Sequence, residues 1–264
     1  MPSTYLNNAD IYYEIHGSGP PLLLIAGMSS DSKSWQFILK DLSQHFRLII
    51  FDNRGCGRTT SEGKFSLQDL AGDAISLIDH LGYGKVDVLG HSMGGMIAQE
   101  LVLAHPDRVN KLVLASSSPK LSDKAKAILD DLYAKWEHGF DTSEWFRLLF
   151  RWLFTSEAVN NKKFMDAAII FALSYPYPQS LKDFKRQVDA ISGFNAAGKI
   201  SNIKSDTLII SGAEDILIPP EESQQLSDIS GQTRFSLIEH AAHSVHAEKP
   251  KEFVGVVGGF LFNK

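Results

Sequence analysis

One pentapeptide has the residue types and spacing that nucleophilic chemistry needs. Gly90-His91-Ser92-Met93-Gly94 follows the apolar run Val86–Leu89 and precedes Met96, Ile97, Leu101 and Ala104, which recur at helical spacing. A serine entered from a strand and left by a helix stands on a sharp, strained turn that exposes its Oγ. Glycine is needed on both sides because a side chain there would collide with neighbouring backbone as the turn closes. The helix N-terminus offers partial positive charge to a developing oxyanion. The plainer alternative is a tight glycine turn with a solvated serine, and the partners further along the chain tell against it.

A serine hydroxyl is a weak nucleophile at neutral pH and needs an adjacent base held by a third group. Two later segments offer such groups. Leu208–Ile210 leads into Gly212-Ala213-Glu214-Asp215 and Pro219, and Phe235–Ile238 leads into a loop with His240, His243 and His246. An acid and an imidazole then lie beyond strand C-terminal ends, where open α/β sheets place their sites. His240 follows the strand directly, so the pleat is expected to fix its side chain. His243 comes after two alanines, in a loop free to turn over the sheet edge. His246 is the main alternative base, and Glu214 the fallback acid.

Other polar groups attract blander readings. Asp52-Asn53-Arg54-Gly55 reads as a loop fixed by an ion pair. Cys56, the single cysteine, has no His–Asn arrangement near it in sequence. His91 is expected to pack or support, since adjacent residues of a strand face opposite ways. The spacing of His240, His243 and His246 lacks the i, i+4 histidine pair and carboxylate of a zinc protease, so no metal is expected. No glycine-rich nucleotide motif occurs, and no cofactor is expected.

Positioning these residues requires a scaffold of strands and helices. Strand-like runs occur at Ile11–Ile15, Leu22–Ile25, Arg47–Phe51, Val86–Leu89, Lys111–Leu114, Thr207–Ile210 and Arg234–Ile238. Several are apolar at consecutive positions, as strands buried on both faces are. Between them, Leu67, Leu70, Ala74, Leu77, Ile78 and Leu81 define a helix, with Ser66 as its cap and Gly82 past its end. His105-Pro106 stops the helix after Ser92. Phe253, Val256, Val257, Phe260 and Leu261 fit a last helix after Pro250. The alternation predicts an α/β fold: a mostly parallel central sheet flanked by helices.

Residues 119–205 break the rhythm. They carry no convincing strand and hold 14 of the chain's 27 aromatic residues. A structureless loop of that length is unlikely in a compact domain, so a helical insertion is expected. Residues 1–118 and 206–264 are then the core domain and 119–205 a cap. Most of these rings are expected to pack internally, with Trp145 and Trp152 the candidates for lining an apolar substrate pocket.

Composition bounds the rest. The 44% apolar and 22% charged content excludes a disordered chain, and a net charge of −5 gives no case for nucleic acid. The longest apolar stretch, Pro20 to Met28, falls far short of the roughly 20 residues of a membrane span. Met1 to Glu14 have neither the basic nor the apolar region of a signal peptide, so a cytoplasmic protein is expected.

The chain resembles the α/β-hydrolase superfamily over essentially its whole length. Beyond the serine turn, the resemblance rests on Phe51-Asp52-Asn53-Arg54-Gly55-Cys56-Gly57-Arg58-Thr59, on Gly212 to Asp215 with Pro219, and on Ala242-His243 with Glu248-Lys249-Pro250. It implies the order nucleophile Ser92, acid Asp215, base His243. It also implies an oxyanion hole made by the backbone N–H groups of Met28 and Met93. Many members carry His-Gly where this chain has Ala26-Gly27, which leaves open what holds that loop. Gly27 is expected to let the backbone approach the substrate closely.

The implied activity is that of a cofactor-free serine hydrolase, an esterase cleaving a small to medium apolar carboxylic ester, thioester or lactone through an acyl-enzyme. Relatives of the same fold also cleave C–C bonds, open enol-lactones or perform perhydrolysis, and some act as small-molecule receptors. Anionic substrates would need a cation, for which Arg147, Arg151 and Arg186 are the candidates.

Overall fold

A computed structural model describes residues 3–262. Its strands are β1 (Ser3–Leu6), β2 (Ala9–His16), β3 (Pro21–Ile25), β4 (Arg47–Phe51), β5 (Thr60–Ser61), β6 (Val86–His91), β7 (Val109–Ala115), β8 (Asp206–Gly212) and β9 (Thr233–Ile238). They form one sheet in the order β1-β2-β4-β3-β6-β7-β8-β9, with β5 beside β2. Every pairing from β4 to β9 is parallel, and β2 pairs antiparallel with β1, β4 and β5. The α/β class and mostly parallel sheet expected from the sequence are therefore present. The antiparallel edge was not legible, because β1 alternates between exposed and half-buried residues and β5 has only two residues.

The helices of the sheet are α1 (Gln36–Leu42), α2 (Leu67–His80) and α3 (Met93–Ala104). In β3, Leu22 and Leu24 face a core with Trp35, Ile38 and Phe253, while Leu23 and Ile25 face one with Leu70, Met96 and Ile97. Consecutive burial thus covers both faces, and each such side chain contributes about 1.5–3 kcal/mol. Ser66 and Asp69 form a reciprocal capping box on α2, and Gly82 follows its end with φ +74°.

Between β7 and β8 run α4 (Asp123–Glu137), α5 (Thr142–Leu153), α6 (Ser156–Asn160), α7 (Lys162–Leu173) and α8 (Leu181–Ser192). Leu129, Leu132, Trp145, Phe184 and Val188 form a core of their own here. The two ends of this segment are held side by side: Ala196 N–H donates to the Pro119 carbonyl at 2.8 Å. The chain closes with α9 (Pro220–Gln224), α10 (Val245–Glu248) and α11 (Pro250–Phe262). The core segments expected from the sequence include residues 1, 2, 263 and 264, which lie outside the described residues. Among the described residues no helix is long and apolar enough to cross a membrane.

Candidate active site

Ser92 sits between the fully buried β6 and the first residue of α3, with φ +54° and ψ −120°. A non-glycine residue in that region is strained by about 1–3 kcal/mol and persists only where its surroundings hold it. Here Ser92 N–H donates to the Ala115 carbonyl at 2.8 Å, and the Ser92 carbonyl accepts from Gly95 N–H at 2.9 Å. The flanking glycines are required sterically. A Cβ on Gly90 would strike the Gly94 backbone, and one on Gly94 would strike the Ile25 carbonyl.

The loops after β8 and β9 meet Ser92 at the C-terminal edge of the sheet. His243 Nε2 lies 2.9 Å from Ser92 Oγ, and His243 Nδ1 lies 2.9 Å from Asp215 Oδ2. His243 and Asp215 are both buried. With Nδ1–H donating to the carboxylate, Nε2 is left to accept the serine hydroxyl proton. The other carboxylate oxygen accepts from Leu217 N–H at 3.0 Å and Ile218 N–H at 2.9 Å. The two loops are also tied together, Glu214 N–H donating to the Ala241 carbonyl at 2.9 Å.

The competing residues lie elsewhere. Glu214 points outward toward the exposed His240, 3.9 Å away. His240 is not at a strand end as the sequence suggested: β9 stops at Ile238, and His240 occupies the following turn with φ +53°. His246 is buried in α10 between Trp35 and His91. Its pKa is pushed down to about 4, first by burial and then by His243. Burial pushes the Cys56 thiol well up, so it stays protonated. The expected ion pair of the loop after β4 becomes two. Arg54 grips Asp73 of α2 through two contacts of 2.5 and 2.6 Å, and Arg58 holds Asp52 at 3.0 Å.

The loop after β3 brings Gly27 against Ser92, and Met28 lines the same cavity as Ser92. Among the described residues, neither Met28 N–H nor Met93 N–H has a hydrogen-bond partner in the fold. The loop is fastened by amides instead of an imidazole. Asn53 Nδ2 donates to the Ala26 carbonyl at 2.9 Å, and Ser29 N–H donates to Gln187 Oε1 at 2.9 Å. Sequence reasoning missed Gln187, although it is a polar residue on the face of α8 that also carries Phe184, Val188 and Ile191. Gly27 is required by its neighbours. A Cβ there would come within 3.2 Å of Ser92 Cβ and 3.1 Å of the His91 ring.

Ser92 and His243 open onto a cavity of about 1060 Å³ roofed by α4 to α8. Met96, Trp145, Phe146, Leu149, Phe150 and Phe164 line its apolar side. Trp145 is nearly enclosed, its Nε1–H donating to the Leu132 carbonyl at 2.8 Å. Trp152 does not line the cavity. It packs, half-buried, against the cluster of Leu129, Leu132 and Trp145. Trp145 and Trp152 are seven residues apart and stand nearly in line along α5, at the edge of the face whose Phe146, Leu149, Phe150 and Leu153 meet the cavity; the cavity reaches only the first of the two rings. Arg147, Arg151 and Arg186 are also absent from the lining. Arg186 instead pairs with Asp183 at 2.7 Å and donates to the Ser61 carbonyl at 3.2 Å.

The helical segment also reaches the loop of His243. Ser244 N–H donates to the Leu153 carbonyl at 2.8 Å. Glu248 accepts from Ala242 N–H at 2.7 Å and from Thr155 N–H at 2.9 Å, clamping both together.

A protein of Azorhizobium caulinodans named as the carbamate hydrolase RutD is 27% identical over 266 residues, 98% of each chain. One of Mycobacterium tuberculosis named as the non-heme bromoperoxidase BpoC is 28% identical, across 92% of this chain and 94% of its own. The structure of the enol-lactonase from Burkholderia xenovorans superposes with a TM-score of 0.89 over 99% of this chain and all of that one, at 21% identity. The family model described as the alpha/beta hydrolase fold matches residues 20–250, and the chain belongs to that family.

Proposed function

We propose that this hydrolase-family chain is a serine hydrolase that cleaves a neutral, largely apolar carboxylic ester, thioester or lactone through an acyl-enzyme. One observation carries the reading. Ser92, His243 and Asp215 form a continuous hydrogen-bonded row, 2.9 Å at each step, that opens into an apolar cavity. Ser92 Oγ attacks the carbonyl carbon as His243 Nε2 takes its proton. Asp215 holds the ring tautomer and stabilises the imidazolium. The N–H groups of Met28 and Met93 receive the oxyanion, and the α3 N-terminus adds its partial charge. The tetrahedral intermediate collapses as His243 returns the proton to the leaving oxygen or sulfur. Water then attacks the acyl-enzyme with His243 again as base.

Segment 119–205 acts as the cap over this site on the same reading. Arg147, Arg151 and Arg186 are absent from the cavity lining, where Lys33 and Lys249 are outnumbered by the carboxylates of Asp31, Glu157 and Glu248, a balance that supports a neutral substrate over an anionic dienone acid. Cleavage of a carbamate by the same steps is a second reading, favoured by the name of the Azorhizobium relative. A fluorophosphonate probe tests the nucleophile. One equivalent should attach at Ser92 in the parent chain, and none in a folded Ser92→Ala variant. Full labelling of that variant would overturn the proposal.

A further inference from the structure

We infer that Gln187, on α8 of the inserted helices, is a positioning residue that holds the Met28 loop in shape to receive an oxyanion. The inference rests on the acyl-enzyme reading above.

Gln187 is completely buried, as are Phe184 and Val188 on the same two turns of α8. A buried amide is tolerated only when its polar atoms are bonded. Its Oε1 accepts from Ser29 N–H and from Gln179 Nε2, each at 2.9 Å, and its Nε2 donates to the Arg54 carbonyl at 2.9 Å. Gln179 adds a parallel tie. Its Nε2 donates to the Gly55 carbonyl at 2.7 Å, and its Oε1 accepts from Ser29 Oγ at 2.6 Å. Two amides of the inserted segment thus bind the loop after β3 to the loop after β4.

Ser29 explains why such a tie is needed. Its φ is +56°, in the left-handed region that costs a non-glycine residue about 1–2 kcal/mol. Asn53 fastens the start of the loop at the Ala26 carbonyl, and Gln187 fastens its far side at Ser29. Gly27, which lies against Ser92, and Met28 stand between those anchors, in a turn closed by Ser30 N–H donating to the Gly27 carbonyl at 3.3 Å. Releasing Ser29 lets it return to negative φ and swing the Met28 N–H out of line with the Met93 N–H. A displacement of about 1 Å at a reacting centre costs on the order of 10²-fold in rate. The inserted helices then take part in oxyanion stabilisation as well as covering the cavity.

The test is Gln187→Leu, close in size and without hydrogen bonds, assayed on a short aryl ester. We expect kcat to fall about 10- to 100-fold with KM within about twofold. Two inhibitors separate positioning from general support. An alkyl trifluoromethyl ketone accepts Ser92 Oγ at its carbonyl carbon while the proton moves to His243, and so holds a tetrahedral oxyanion. The matching alkyl amide stays planar. Gln187→Leu should weaken the ketone by the same factor as kcat and leave the amide unchanged. Retained kcat, or equal weakening of both inhibitors, overturns the inference. Thermal melting checks the fold. If Gln187→Leu does not fold, Gln187→Glu at pH 8 keeps an acceptor for Ser29 and loses the donor to Arg54, so it should show a smaller loss of the same selectivity. Parental values in that variant also overturn the inference. Ser92→Ala distinguishes the failures: an active Ser92→Ala sinks the acyl-enzyme reading, whereas an inactive one beside a fully active Gln187→Leu sinks only the role of Gln187.

Discussion

His91 Nε2 donates to the backbone carbonyl of His243 at 2.8 Å, so the residue before the serine props the loop of the proposed base. The bond requires a proton on Nε2 of His91, and burial lets that ring stay neutral. Its pKa is pushed well below the ordinary histidine value, first by burial and then by His246 and His243. His91 thereby joins the Ser92 turn to the loop of His243.

Two buried neutral histidines make stability depend on pH. The pKa of His246 is about 4 in the fold against 6.5 for a free imidazole. Between those values the unfolded chain binds a proton that the folded chain refuses. Stability is therefore fully present above about pH 6.5 and is lost as pH falls toward 4, by up to about 3 kcal/mol. His91 acts with the same sign. Asp31, whose pKa burial raises, acts with the opposite sign at lower pH, so a variant is needed to isolate the effect. Thermal melting between pH 7.5 and 5 should show a falling Tm, with a shallower slope in His246→Phe. An unchanged slope in that variant would mean His246 is not held neutral.

Substrate length should be read by one tryptophan and not the other. Trp145 lines the cavity, whereas Trp152 packs outside it. Trp145→Phe should alter the ratio of kcat/KM between short and long acyl esters by up to tens-fold, since one methylene is worth about 1–3 kcal/mol in an apolar pocket. Trp152→Phe should leave that ratio alone. A matching change in both variants would show that the two rings act only through the packing of the inserted helices.

The sequence was most informative where local chemistry and fold demand the same residues. Gly90 and Gly94 announce the turn because their missing side chains leave room for specific backbone atoms. Strands β3, β4, β7 and β8 declare themselves because burial on both faces requires consecutive apolar residues. The ties between distant segments were not legible. Gln187 contacts Ser29 and Arg54, 158 and 133 residues away, and no local pattern encodes such partners. Glu248 stood within a quoted motif, yet its hold on Thr155, 93 residues away, follows only from the fold. Trp145 and Trp152 look alike in the sequence, since seven residues set them nearly in line along α5, and only the fold separates the ring that reaches the cavity from the one that packs beside it.

The proposed base, His243, stands between Ser92 and Asp215. His243 alone of the three nearby histidines faces both Ser92 and a carboxylate, at 2.9 Å each. His240 is turned outward, and His246 is enclosed by Trp35, His91 and Phe253. In an aryl ester assay, His243→Ala should lose on the order of 10⁴-fold or more in kcat, as Ser92→Ala should. The double variant should be scarcely worse than either, because a nucleophile without its base and a base without its nucleophile lose the same step. His240→Ala should stay near the parent. His246→Ala should lose stability through the cavity left beside Trp35, and keep most of its kcat wherever it remains folded. Additive losses in the double variant would mean that Ser92 and His243 act independently. A dead His246→Ala beside an active His243→Ala would place the proton transfer on the other imidazole.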